Sequence, residues 1–267
     1  MADGMSFDKY IDNPSGGAAV ISSRGMYKEM YKRKFGTVLL REQGKIDFKV
    51  FKSGDQTDSY YIYMKIPSEV IENFYYDVVV RLYTTVGSKK AGTILRSYAV
   101  GFYSNDPSFV YTFAHSFKEN KLFIEDLTPV MSKKALKKVA ATRNPSDQVW
   151  YVKSLYFAYL TMEKYGLFNR INLDRLSTKY DKKALIKMIT PADEKVKARQ
   201  EAGEKLEAEK RKEKAKQRKE QEEARNAAFR TKSSASSKAS KSTKTTKTTK
   251  KTSTVGRTKM TSKGKKT

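Results

Sequence analysis

The chain contains no cysteine. That excludes a disulfide framework, a thiolate zinc site and a cysteine nucleophile, and it suits a reducing compartment. No apolar run approaches the roughly 18 residues of a membrane-spanning helix. Residues 1–10 carry Asp3 and Asp8 and lack the apolar core of a secretory signal. These absences lead to the expectation of a cytoplasmic protein with no membrane partner. No glycine-rich loop ends in Lys-Ser or Lys-Thr, so a P-loop is unsupported, and there is no glycine motif of the nucleophile-elbow kind. Histidine occurs once, at His115, and residues 230–267 contain no acidic side chain.

What the chain has in excess is positive charge. Lys and Arg number 55 against 29 Asp and Glu, a formal net charge of +26 over 267 residues. Residues 1–191 hold 30 basic and 19 acidic side chains, residues 192–229 hold 12 and 10, and residues 230–267 hold 13 and none. Half of the excess therefore lies in the last 38 residues. The aromatics divide the other way: of 31 Phe, Tyr and Trp, only Phe229 lies beyond residue 180. Apolar area offsets the entropy of ordering a chain. The first two-thirds has that area; the last 38 residues do not, and are expected to stay disordered when free.

Residues 1–24 read as a flexible arm, broken by Asn13-Pro14-Ser15-Gly16-Gly17. A globular α+β domain is expected over residues 25–190. Met26 to Phe35 reads as a short helix, with Met26 and Met30 four apart and Tyr27 and Tyr31 beside them. From Gly36 to about Ile124 the period changes to two. Ile46, Phe48 and Val50 alternate with Asp47 and Lys49. Tyr60, Ile62, Met64 and Ile66 share a face opposed by Tyr61, Tyr63 and Lys65, and Phe74 to Leu82 carries the longest stripe. Thr93 to Tyr103, Phe109 to Phe113 and Leu122 to Ile124 read as further strands, and Pro67-Ser68-Glu69-Val70 as a short helix. Six or seven close-spaced strands favour a mostly antiparallel sheet.

Beyond residue 128 the period is helical again. Val130 to Ala141 is short and basic. Asn144-Pro145 offers an N-cap and a first-turn proline for a helix over Ser146 to Tyr165, stopped by Gly166. Asp181 caps a small helix that runs through Ile189. Thr190-Pro191, followed by Asp193 and Glu194, opens a segment over 191–229 that is almost wholly Ala, Glu, Lys, Gln and Arg. It lacks a sustained heptad seam, so a solvated single helix and semi-rigid spacer is expected in preference to a coiled coil.

The tail over 230–267 is Lys, Ser and Thr, with Lys238, Lys241, Lys244, Lys247 and Lys250 at every third position. An acid-free run of this kind associates with polyanions through release of their counterions. The nucleic-acid-binding residues expected here are those five with Lys251, Arg257, Lys259, Lys263, Lys265 and Lys266. Without Asn, Gln or aromatics the tail has almost nothing to read bases with, so binding is expected to be salt-sensitive and independent of sequence. DNA is favoured over RNA as the partner. Lys133, Lys134, Lys137 and Lys138 form a secondary basic patch. The tyrosines, set at strand period, read as half-buried sheet residues or protein-interface anchors before they read as base-stacking platforms.

Enzymatic constellations are thin, and neither a catalytic residue nor a cofactor or metal is expected. His115 sits among aromatics. A Ser-His-Asp set assembled from Ser116, His115 and Asp126 rests on adjacency alone. Asp47-Phe48-Lys49 has the acid-x-Lys form of restriction-type nucleases, but alternating charge on an exposed strand gives the same letters, and no upstream metal-binding acid accompanies it. Glu125-Asp126 is an ordinary pair of acids before a turn.

A short polar arm (MADGMSFDKYIDNPSGG), a Tyr-rich β body, a helical extension and a basic Lys/Thr tail resemble, in that order, small structural proteins of tailed bacteriophages. The resemblance implies a virion or assembly component that contacts packaged DNA or other subunits. The tail also resembles those of linker histones and bacterial histone-like proteins, although the attached domain, with its strands first, departs from a winged helix. The expectation is thus a non-enzymatic interaction protein, in the cytoplasm or a virion. Its body docks to protein partners or to itself, and its tail engages nucleic acid. The alternatives are an assembly protein whose tail binds an acidic protein, and a metal-dependent nuclease using Asp47 and Lys49.

Overall fold

The alternating stretch between residues 46 and 104 folds into four antiparallel strands: β1 (Phe48–Lys52), β2 (Tyr60–Pro67), β3 (Tyr75–Tyr83) and β4 (Ala99–Ser104). A fifth, β5 (Ser177–Lys179), runs parallel to β1, and the sheet order is β4-β3-β2-β1-β5. Around it lie α1 (Phe7–Asp12), α2 (Ile21–Arg41), α3 (Ala114–Glu119), α4 (Lys133–Lys137), α5 (Lys153–Lys164), α6 (Arg170–Leu176), α7 (Lys182–Met188) and α8 (Ala192–Ala239). The architecture is α+β. The computed structural model describes residues 5–12, 21–54, 59–84, 94–137, 144 and 147–239, with side chains described except over 21–27 and 228–239. No helix among the described residues is long and apolar enough to cross a membrane.

The central strands are covered on both faces, which is why β2 and β3 are buried almost throughout rather than alternately. Ile62, Met64, Val78, Val80 and Phe102 share one face with Ser104, whose hydroxyl meets that of Ser154 on α5 at 3.1 Å. Behind α5 lies α2, joined to it by the Phe35 and Phe157 rings at 5.3 Å. The opposite face carries Tyr61, Tyr63 and Tyr103. Their hydroxyls donate to the Asp126 carboxylate, the Asp77 carboxylate and the Val130 carbonyl, at 2.9, 2.7 and 3.2 Å. A polar tip that finds a partner lets a tyrosine be buried at little cost, and this accounts for the tyrosine-rich strands. Gly101 on β4 belongs to the same face: a Cβ there would lie 3.1 Å from the Ile124 side chain, so the close approach needs glycine.

The edge of β4 is not open. The amide of Val100 donates to the Met5 carbonyl, and Phe102 exchanges backbone bonds with Leu122 and Ile124. Leu122 to Ile124, expected as a strand, supplies that single bridge at Phe123. Short covering pieces of this kind keep a sheet edge from pairing with other chains.

Several expected elements take another form. Residues 7–12 are a helix with Phe7, Tyr10 and Ile11 buried, not part of a flexible arm; the Phe7 ring packs on those of Phe102 and Tyr159 at 4.9 and 5.2 Å. The helix begun before Met26 continues to Arg41, because Phe35 and Val38 extend its buried stripe. Phe109–Phe113, apolar enough for a strand, is a π-helical turn. Asp106 opens it, its carboxylate accepting from the Ser108 amide at 2.9 Å and its carbonyl from the Val110 amide at 2.9 Å. Pro67 ends β2, and Ser68 to Asn73 is a turn held by the Ser68 hydroxyl. The helix expected over Ser146 to Tyr165 begins only at Lys153. Thr93 and residues 138–143, 145 and 146 lie outside the described residues.

Other local signals hold. Asp181 caps α7 through the Lys183 amide at 2.8 Å. Gly166, at φ +63, ends α5: its amide donates to Glu163 and that of Leu167 to Met162, the paired bonds of a Schellman stop. Asp193 and Glu194 occupy the first turn of α8.

The chain divides into two units, residues 1–209 and 210–267, with the division inside the α8 span. The first unit holds the sheet and its helices, and Ala192 and Val196 are the buried residues at the start of α8. In the second, the described residues are all helical, and their side chains are exposed over 210–227. The helix runs ten residues past the expected limit at 229, through Ala239; the later part of the expected disordered tail lies outside the described residues.

Candidate functional site

The tail residues expected to meet nucleic acid lie almost wholly outside the described residues. Lys238 is within α8 by its backbone, while Lys241, Lys244, Lys247, Lys250, Lys251, Arg257, Lys259, Lys263, Lys265 and Lys266 follow the last described position. The secondary patch is described except for Lys138. Lys133, Lys134 and Lys137 are exposed on α4, which is anchored by buried Leu136. Among the described residues, no acidic side chain pairs with any of the three. A second basic cluster, Lys28, Lys32, Arg33 and Lys34 on α2, is partly paired: Lys28 meets Asp12 at 2.6 Å and Lys34 meets Glu69 at 2.8 Å.

His115 has a partner that its sequence neighbourhood does not announce. Its Nδ1 lies 2.8 Å from Asp147 Oδ2. The Ser116 hydroxyl donates to the other oxygen of the same carboxylate at 2.7 Å and accepts from Asn144 Nδ2 at 2.8 Å. Asn144 holds the turn itself: its Oδ1 accepts from the Gln148 amide at 3.1 Å, and its backbone carbonyl accepts from the Asp147 amide at 3.0 Å. Asp147 sits at φ +47, a left-handed conformation that aspartate tolerates better than most residues. Asn144 therefore organises a turn, and does not cap α5.

This geometry changes the chemistry available. A carboxylate accepts, so the imidazole proton of the pair sits on Nδ1 and Nε2 is left for other contacts. Ser116 is fully buried and gives its hydroxyl proton to Asp147, so it is not placed as a nucleophile activated by His115. Asp126 belongs elsewhere. It accepts from Tyr61 at 2.9 Å, from Tyr180 at 3.0 Å and from Lys182 at 3.1 Å, beneath the stacked rings of Tyr61 and Tyr180. Burial would raise its carboxyl, but these donors outweigh burial and hold it below the usual range.

His115 lines a cleft of about 790 Å³ with Tyr111, Met131, Lys133, Lys134 and Asp193. Lys133 and Lys134 of the expected basic patch and the lone histidine, unrelated in the sequence, thus meet in one depression. A second cleft of about 530 Å³ is lined by Lys34, Tyr76, Asp106, Tyr111, Lys153 and Arg199. Its cations are engaged: Lys34 and Lys153 both pair with Glu69, and Arg199 donates to the Tyr76 hydroxyl at 3.2 Å. Burial would raise the Glu69 carboxyl, and the two ammonium groups more than reverse that. Asp106, deeply buried, is raised by its burial.

Asp47, the residue before β1, and Lys49, on β1, are both exposed. Among the described residues no group of three or more His, Asp or Glu side chains is placed to hold a metal ion. Compared with protein-family models, with curated proteins and with solved structures, the chain matches none.

Proposed function

We propose that the protein is a non-enzymatic structural or interaction protein that binds nucleic acid without sequence specificity through its basic C-terminal tail. The observation that carries this reading is the run of 13 Lys and Arg with no Asp or Glu over residues 230–267. Charge of one sign with no internal partner is neutralised by condensing onto a polyanion, and the released counterions drive the association. DNA is the favoured polyanion. A phage particle or its assembly, or the cytoplasm, is the setting that accords with the order of polar N-terminal segment, β body, helix and basic tail.

Protein contacts are the second part of the reading. With β2 and β3 buried and the β4 edge bridged, helix and loop surfaces and the β5 edge are what remain for such contacts. The test compares duplex DNA binding at several salt concentrations for the full chain and for a chain ending at Ala239, which keeps α8 whole. The logarithmic salt slope is about −0.9 for each phosphate neutralised. The shortened chain lacks ten of the 13 tail cations, and its affinity and slope are expected to fall sharply while its melting temperature holds. Equal affinity and slope in both chains would sink the tail reading. Retention of an acidic protein in place of DNA at physiological salt would move the partner to protein.

A further inference from the structure

We propose that the cleft between the π-helical turn, α4 and the first turn of α8 binds a nucleoside phosphate. Lys133 and Lys134 hold the phosphate, His115 Nε2 meets the ligand's polar edge, and Tyr111 packs against the base. This site goes beyond the tail reading and does not rest on it.

Size comes first. About 790 Å³ is far more than a bare phosphate needs and falls within the range of clefts that take small organic ligands. Charge comes second. Two consecutive lysines line the depression with no acidic partner among the described residues, each an ammonium with three donors for phosphate oxygens. The contrast with the neighbouring cleft decides which of the two is open to an anion, since there Glu69 already occupies Lys34 and Lys153. Among the described residues, Asp193 is the one carboxylate lining the first cleft. It lies in the opening turn of α8, where the helix dipole favours a negative charge.

The histidine is built for a contact rather than for packing. Its ring is fixed by Asp147, whose other oxygen is fixed by Ser116, which Asn144 fixes in turn. Such a chain orients an imidazole and sets its tautomer. His115 lines the cleft and Asp147, which holds Nδ1, does not, so Nε2 is the ring nitrogen left to meet a ligand there. Tyr111 supplies the ring. It is 47% exposed, whereas the strand tyrosines Tyr60, Tyr61 and Tyr63 are buried with bonded hydroxyls. An exposed aromatic beside cations is the arrangement that stacks a base and holds its phosphate. It is carried on a π-helical turn, a geometry that recurs at binding sites.

Because His115 is the only histidine, its ring protons are a single-site reporter in the NMR spectrum of the full chain. The probes are adenosine monophosphate, inorganic phosphate and a short single-stranded oligodeoxynucleotide. Adenosine monophosphate is expected to shift the His115 signals saturably. The exposed double variant K133Q/K134Q is expected to weaken that response about tenfold with no change in melting temperature. Tyr111→Ala is expected to weaken the nucleotide response and leave that to phosphate unchanged. A response to the mononucleotide identifies a free nucleotide as the ligand; a response to the oligonucleotide alone identifies a strand. No His115 response to either, or one that persists undiminished in K133Q/K134Q, overturns the site. Equal responses to phosphate and nucleotide overturn the role of Tyr111. Deleting residues 240–267 leaves the His115 response in place, so this site and the tail fail by separate measurements.

Discussion

The hydroxyl of Tyr10 accepts a hydrogen bond from the Val152 amide at 3.2 Å and donates to the carbonyl of Trp150 at 3.0 Å, across 140 residues or more of sequence. Tyr151 answers in the reverse direction, donating to the Ile11 carbonyl. Arg96 adds a further tie, bonding Asp8 at 3.0 Å and the Tyr159 hydroxyl at 2.7 Å. These bonds hold residues 150–152 extended against α1, and they are why α5 starts at Lys153. The Tyr10 hydroxyl is held so far from water that its burial pushes it well above the usual tyrosine range.

Tyr10→Phe removes the partner of a buried amide and a buried carbonyl together. It is expected to cost about 1–3 kcal/mol in urea unfolding. Tyr10→Ala adds an emptied site and is expected to cost about 3–5 kcal/mol. Wild-type stability in both variants would mean that the N-terminal helix is not docked.

Asp77 is buried on β3 and accepts from the Tyr63 hydroxyl at 2.7 Å, Asn105 Nδ2 at 2.8 Å and the Thr190 amide at 3.0 Å. It pins the residues just before α8 to the sheet. Asp77→Ala takes this acceptor from all three donors, leaving Tyr63 its longer bond to the Met188 carbonyl and Asn105 its bond to the Thr190 carbonyl, and is expected to destabilise the body by about 2–4 kcal/mol, read by thermal or urea unfolding. An effect below about 0.5 kcal/mol, ordinary for a surface change, would contradict this role.

The depressed Asp126 carboxyl gives a pH dependence with a definite sign. Its folded value lies below the unfolded one near 3.8, so its contribution is present above that pH and is lost as pH falls through the folded value. Asp126→Asn is expected to lower stability at pH 7 by about 1–2 kcal/mol, a charge-assisted bond discounted for partial exposure. The gap between the two proteins should close toward low pH. A gap that stays constant from neutral pH to pH 2 would rule out the linkage.

Gly166→Ala places a Cβ at φ +63, and that atom would lie 2.9 Å from Asn172 Nδ2. The strained backbone alone is expected to cost about 1 kcal/mol, and the crowding somewhat more. Gly203→Ala, on α8 with an ordinary helical backbone, is the control and is expected to be near neutral or stabilising.

The strands β1 to β3, the caps at Asp181 and Gly166 and the start of α8 were legible because each rests on neighbours within a few residues. Period-two stripes, a side chain that bonds an amide two residues on, and a left-handed glycine are local physics. So is the acid-free tail, whose charge needs no fold to be counted. Phe109–Phe113 was misread because its composition suits a strand, while the choice was made upstream by Asp106 at the head of a turn. β5 was missed because three residues carry no periodic signal, and it exists by virtue of pairing with β1.

The cleft is tertiary in the same sense. The sequence alone fixed the α+β class, the absence of thiol chemistry and the uneven charge, since these follow from residue types and short spacings. Which carboxylate His115 meets was decided only by folding, which sets Asp147 beside it across 32 residues while leaving Asp126 under Tyr61 and Tyr180. Folding likewise gave Lys34 a partner and, among the described residues, set no acidic side chain against Lys133 or Lys134. Contacts between distant segments depend on how whole elements pack, and no local propensity records them.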